Sequence, residues 1–255
     1  MVDVSIIGCG HLGSAVIAGL ARTDSHTITA CDVNREALSR VEDAVDRATT
    51  NLDEAATASV VILAVTPETV GPVLDDLELS ADQTLLSFAA GVPSDFLAAR
   101  TEASVARGMP NLAAETGTMA CAITGEYGSA VETLLSDLGE FVEIDESEMD
   151  VATAVNGSGP AFVYYLIKAF QEAGIERGLE PADARVLAAQ TFKGAAETVL
   201  QSDSALDELV DSVATPGGTT IEGMEVLWDS DVTETLDAAI GAATNRSKEL
   251  ARESQ

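Results

Sequence analysis

Short apolar, β-branched runs alternate with stretches of helical spacing over the first half of the chain. Val2–Ile7 stops at a glycine cluster, after which Leu12, Val16 and Leu20 recur four apart. That spacing puts them on one face and predicts a helix over 12–21. A second strand is predicted at 27–31 and a second helix at 35–45. Residues 59–65 (SVVILAV) are apolar without a break, as expected of a strand covered on both faces. Further strands are predicted at 84–89, 103–107, 119–124 and 141–144. Such alternation implies a parallel sheet flanked by helices on both sides.

Beyond Glu146 the strand signals stop. Phe162, Tyr165, Leu166, Ala169, Phe170 and Ala173 follow the spacing of one helix face. Pro160 and Pro181 stand where helices begin, and Ser158 suits the cap before the first of them. Helices are predicted over 181–201, 205–213, 219–228 and 232–252. The expected division is an α/β domain over 1–147 and an all-helical domain over 148–255.

Charge changes the picture of the surface. The 255 residues carry 43 Asp+Glu against 13 Lys+Arg, a formal charge of −30. Such a surface repels phosphate backbones and anionic membranes, which excludes both as partners. With 46% hydrophobic residues the chain is not a disordered acidic one. The expectation is a solvated acidic shell around an ordinary core, suited to a salt-accumulating, halophilic cytosol, where the Debye length falls to about 3 Å at 1 M. Cys9, Cys31 and Cys121 are scattered, and with only His11 and His26 beside them no disulfide framework or metal site is expected. No basic leader or long apolar run is visible, so a cytoplasmic protein is expected.

The chemistry begins at Gly8-Cys9-Gly10-His11-Leu12-Gly13, a G-x-G-x-x-G that follows a predicted strand and opens a predicted helix. Asp32 stands 19 positions after Gly13, at the end of the second strand. Together they form the dinucleotide-binding fingerprint of a Rossmann domain. Gly8 permits the tight turn, Gly10 lets a pyrophosphate approach the backbone, and Gly13 lets the helix pack on the sheet. The helix N-terminus offers N–H groups to phosphate oxygens. Asp32 suits both ribose hydroxyls of NADH, whereas Asn34 and Arg35 directly after it leave NADPH open. His11 lies in the loop; Cys9 and Cys31 read as buried packing residues. Ala64, Val65, Thr66 and Pro67 close the long buried strand. They are expected to border the cofactor, as are Ala89 and Ala90 after the next one.

A second constellation is Thr215-Pro216-Gly217-Gly218-Thr219-Thr220-Ile221-Glu222. Proline and two glycines break the chain, then a helix restarts, with Thr219 as the expected N-cap and Glu222 completing a capping box. A glycine turn into a helix N-terminus suits a small carboxylate.

These residues resemble the pyrroline-5-carboxylate reductase family. The I-G-C-G-x-x-G, the A-V-x-P at 64–67 and the A-A-G-V at 89–92 match it. So do Met109-Pro110-Asn111, Gly157-Ser158-Gly159-Pro160-Ala161 and, most specifically, Thr215–Thr220. The resemblance implies a Rossmann domain followed by an all-α dimerisation domain, assembled as a homodimer or a ring of dimers. It also implies hydride transfer from NAD(P)H to a cyclic imino acid, giving L-proline. Carried over, Gly217, Gly218, Thr219 and Thr220 hold the substrate carboxylate. Thr220 orients the ring nitrogen, and Thr215 keeps the hydroxyl the family often supplies as serine. The chain departs from the family at Thr66, where lysine is usual, at Leu112-Ala113, where Thr-Pro is usual, and at Asn156, a common serine.

Three rival readings accompany this one. A 3-hydroxyacid-type dehydrogenase shares the fingerprint and needs a catalytic lysine, for which Lys168 is the candidate. Another is reduction of a related, six-membered cyclic imino acid. The third is a cofactor-binding paralogue without turnover.

Overall fold

The computed structural model describes residues 1–253. Its strands are β1 (Val2–Ile7), β2 (His26–Cys31), β3 (Arg47–Thr49), β4 (Val60–Leu63), β5 (Thr84–Ser87), β6 (Ser104–Pro110), β7 (Met119–Gly125) and β8 (Gly139–Glu143). Its helices are α1 (His11–Ala21), α2 (Arg35–Ser39), α3 (Leu52–Ala55), α4 (Pro67–Asp76), α5 (Ser94–Ala98), α6 (Ser129–Leu138), α7 (Met149–Ala152), α8 (Gly159–Glu176), α9 (Pro181–Gln201), α10 (Leu206–Val213), α11 (Thr219–Trp228) and α12 (Val232–Glu253). Two compact units result. One comprises residues 1–158 and the chain from Gly241 onward, the other Gly159–Ile240.

The first unit is one twisted sheet in the order β3-β2-β1-β4-β5-β6-β7-β8. Strand order reverses between β1 and β4, and there the crevice of a doubly wound sheet opens at the carboxyl ends. All four residues of β4 are buried, the reason its sequence does not alternate. One face packs Val16, Ile17 and Leu20 of α1 with Leu134, Leu135 and Leu138 of α6. The other packs Ala55, Val70, Leu74 and Leu97 of α3, α4 and α5.

Three sequence expectations give way here. The sheet is not wholly parallel: β7 runs antiparallel to β6. The link between them, residues 111–118, is too short for a parallel crossover, which needs about a dozen residues or more. The single helix expected over 35–45 stops at Ser39, and a short 3-10 turn, Glu42–Ala44, follows before the chain enters β3. That strand, three residues long and starting on an arginine, was not expected at all.

Ser158 is not a helix cap. Helical bonding already runs from α7 through a π-helical segment, Thr153–Ser158, which reaches α8 at Gly159. The wide turn coincides with an anchored side chain. Asn156 Nδ2 donates to the Met109 carbonyl at 2.5 Å, and Asn111 Nδ2 donates to Asn156 Oδ1 at 3.0 Å.

In the second unit α8 and α9 pair, with Phe170 and Phe192 edge to face at 5.1 Å. Among described residues 159–240 only Ala184 and Ala188 are buried. The predicted apolar face of α8 forms but stays largely uncovered in the single chain: Tyr165 is 73% exposed and Phe170 55%.

Candidate active site

The glycine turn is assembled by strand register. Gly8 N–H donates to the Cys31 carbonyl at 2.8 Å, and Ala64 N–H to the Ile7 carbonyl at 2.8 Å. The ends of β1, β2 and β4 are thereby fixed side by side. Gly8 has φ +100°, and a Cβ there would stand 2.6 Å from the Ala64 carbonyl oxygen. At Gly13 a Cβ would collide with the Gly8 carbonyl, so α1 presses directly on the turn. At Gly10 a Cβ would meet nothing within 4 Å. Gly10 is the N-cap of α1 and offers no side-chain cap, so the first-turn N–H groups face outward for an anion.

Asp32 completes the turn. Its Oδ2 accepts the Cys9 N–H at 2.7 Å and its Oδ1 the Asn34 N–H at 2.8 Å. A cavity of about 300 Å³ gathers Gly8, Gly10, Asp32, Ala64, Val65 and Thr66, and Val33, Thr50, Leu52, Thr69 and Val73 also line it. An open glycine turn, a carboxylate and an apolar slot side by side fit the pyrophosphate, ribose and base of a dinucleotide.

The remaining candidates do not line this cavity. His11 lines a separate one with Ser14 and Arg40. Arg35 opens α2 outside both, and Asn34 caps that helix by accepting the Glu36 N–H. Pro67 is the first residue of α4, and Leu12 lies in the first turn of α1. Ala89 and Ala90 follow the carboxyl end of β5. Thr66, the lysine position of the family, bonds Thr69 side chain to side chain at 3.0 Å. At the Leu112-Ala113 departure, Asn111 still caps the short helix through the Ala113 N–H at 3.1 Å.

Burial pushes the Cys9 thiol up to about 12 and the Cys31 thiol to about 11, with the Asp32 charge adding to both. Neutral thiols of this kind pack; they do not attack.

In the helical unit Gly217 takes φ +74° and Gly218 N–H closes the turn on the Thr215 carbonyl at 2.9 Å. The N-cap of α11 is Gly218, one residue before the expected Thr219, and it makes no side-chain cap. A Cβ at Gly218 would lie 2.8 Å from Thr215 Oγ1 and 3.0 Å from the Thr215 carbonyl oxygen, so the turn is tight there and a side chain would displace the Thr215 hydroxyl. Thr219 and Thr220 therefore open the first turn, where N–H groups have no acceptor within the helix. Lys168, by contrast, has a side chain 67% exposed and pairs with Glu172 at 3.6 Å, one turn along the same helix.

Sequence reasoning missed much of the cavity wall. Thr50 and Leu52 follow the unexpected β3, so no signal placed them. Val33 and Thr69 stood beside recognised motif residues and were findable by proximity.

The sheet order and the glycine turn define a dinucleotide-dependent oxidoreductase with a helical second unit. The family profile described as "Pyrroline-5-carboxylate reductase dimerisation" matches residues 146–250, and that described as "NADP oxidoreductase coenzyme F420-dependent" matches residues 3–91. A pyrroline-5-carboxylate reductase of Methanosarcina acetivorans is 34% identical, with 98% of each chain covered. Among solved structures, the pyrroline-5-carboxylate reductase of Coxiella burnetii superposes with a TM-score of 0.89 at 27% identity, covering 98% of each chain. The pyrroline carboxylate reductase of Plasmodium falciparum with NADP bound does so at 0.84 and 26%, again over 98% of each. The chain belongs to the pyrroline-5-carboxylate reductase family.

Proposed function

We propose that this chain reduces 1-pyrroline-5-carboxylate to L-proline with NAD(P)H. The observation that carries the reading is the Thr215–Thr220 turn, where Gly217 in the left-handed region leads into an uncapped helix N-terminus. Such an end holds a carboxylate through backbone N–H groups and needs no basic side chain. When bound, a reduced nicotinamide supplies a hydride to the imine carbon of the substrate, the atom that becomes C5 of proline. The ring nitrogen carries a proton in the iminium form and keeps it in the product, so hydride and proton together balance the reduction. Thr220 orients that nitrogen through its hydroxyl, Thr215 supports the turn, and Gly217, Gly218 and Thr219 hold the carboxylate. Orientation of the two reactants supplies much of the rate.

At the other end, Gly8, Gly10 and the first turn of α1 hold the pyrophosphate, and Asp32 holds the ribose. A fixed carboxylate repels a 2′-phosphate, which favours NADH. The protein works as a homodimer or a ring of dimers, in a cytoplasm of high salt that screens its −30 charge. The test is direct: the purified protein in molar KCl oxidises NADH or NADPH only when pyrroline-5-carboxylate is added. No turnover with either cofactor overturns the assignment.

A further inference from the structure

The loop from Phe88 to Pro93, which carries Ala89 and Ala90, is fastened by residues distant in sequence. At its start the Phe88 ring lies where a Cβ on Gly108 would be, 2.7 Å from it, so the ring is seated on the bare backbone of β6. At its end Ser94 Oγ donates to Glu146 Oε2 at 2.6 Å, and Ser94 N–H reaches Oε1 at 3.4 Å. Glu146 Oε1 accepts from the Arg107 guanidinium at 2.6 Å. Arg107 and Gly108 are consecutive on β6, and consecutive strand residues point to opposite faces. One dipeptide thus holds both ends of the loop that follows β5. In the middle, Gly91 has φ +73°, and its Cβ position lies 3.1 Å from the Ala251 backbone nitrogen of α12.

Arg107 is an odd residue for a core. Its side chain is 6% exposed, Nε has no partner, and Glu146 is 39% exposed. Only the Arg107 end of the pair is buried, and the cost of desolvating it offsets the attraction, so the pair is a poor source of stability. What a carboxylate held by two donors does supply is direction. We propose that Arg107, Glu146 and Ser94 are positioning residues of the reaction: they set the β5 loop, and through it the nicotinamide half of the cofactor. The inference rests on the expectation that Ala89 and Ala90 border the cofactor, on the β5 side of the crevice and away from Asp32, where the nicotinamide half would lie.

The test compares Ser94→Ala, Glu146→Ala and Glu146→Gln in the full-length chain in molar KCl. Asp32 and the glycine turn are untouched, so NADH should bind within about twofold of the parent while kcat falls about tenfold in the two alanine variants. The emission lifetime of bound NADH, which reports how firmly the dihydronicotinamide ring is held, should shorten in parallel. Glu146→Gln keeps the Oε1 acceptor and should restore most of both. Unchanged kcat and lifetime in the alanine variants overturns the proposal. So does a loss of kcat and affinity together with a lowered Tm that glutamine does not restore, because that is the mark of a purely structural role. If the parent binds NADH but leaves pyrroline-5-carboxylate unreduced, the substrate reading fails, while the lifetime comparison still decides the positioning role.

Discussion

Asp32 Oδ2 accepts the Cys9 N–H at 2.7 Å, so the acidic end of β2 and the middle of the glycine turn form one hydrogen-bonded element. The carboxylate is held in place before any ligand arrives. Asp32→Asn keeps an acceptor for Cys9 and removes the charge. The ratio of kcat/KM for NADPH over NADH should rise about tenfold, equivalent to about 1.4 kcal/mol. Steady-state rates with each cofactor measure it, and a ratio that stays put removes Asp32 from cofactor choice.

Two of the fingerprint glycines, Gly13 and Gly10, should fail differently. Gly13→Ala drives a methyl into the Gly8 carbonyl and should cost about 1–3 kcal/mol of stability. Gly10→Ala meets open space, so Tm should hold while NADH affinity drops. Thermal melts and NADH titrations on the same two proteins separate the effects.

Thr220→Val keeps volume and removes the hydroxyl. It should lower kcat/KM for the imine by about tenfold to a hundredfold, the range expected when a substrate hydrogen bond is lost, and leave the NADH dissociation constant unchanged. Equal rates for variant and parent would take the hydroxyl out of the reaction.

The architecture was legible wherever a residue's face decided its type. Alternation of apolar strands and spaced helices placed β1, β4 and β5, and proline fixed the start of α9 at Pro181. What stayed hidden depends on tertiary company. β3 is a strand because β2 offers it an edge, not because Arg47-Ala48-Thr49 prefers extension. The π-helical segment exists where Asn156 finds the Met109 carbonyl, 47 residues away in sequence. The site divided in the same way. Glycine spacing disclosed the turn, whereas Arg107 and Glu146 gave no signal until β6 brought them together.

The three buried thiols should stay silent at neutral pH. Burial raises Cys9 and Cys121 to about 12 and Cys31 to about 11, against an ordinary 9.0. A pKa raised by folding means stability that is fully present below pH 9 and lost as pH climbs toward 11–12. Iodoacetamide at pH 8 should label the native protein negligibly and the unfolded protein at all three sites. The alkaline limb of Tm should begin near pH 9 and soften when Cys9 and Cys31 are replaced by alanine.

Salt should act as an activator. Cofactor and substrate are both anions, and at about 0.1 M salt the Debye length of about 10 Å leaves the acidic surface poorly screened. Initial rates should climb from 0.1 M toward molar KCl, chiefly through KM. A maximum below about 0.1 M would mean that the charge has another origin.

The bareness of the helical unit has a consequence for how this protein survives dilution. Tyr164, Leu200, Val226 and Trp228 are each more than half exposed, and α8, α10 and α11 contain no buried residue. In a dimerisation family, an uncovered apolar surface of this kind is where a second copy would pack. Refolding should then follow second-order kinetics, and the melting temperature should climb with protomer concentration. The half of the chain proposed to grip the substrate would, on its own, be a chain still waiting for its solvent to be replaced.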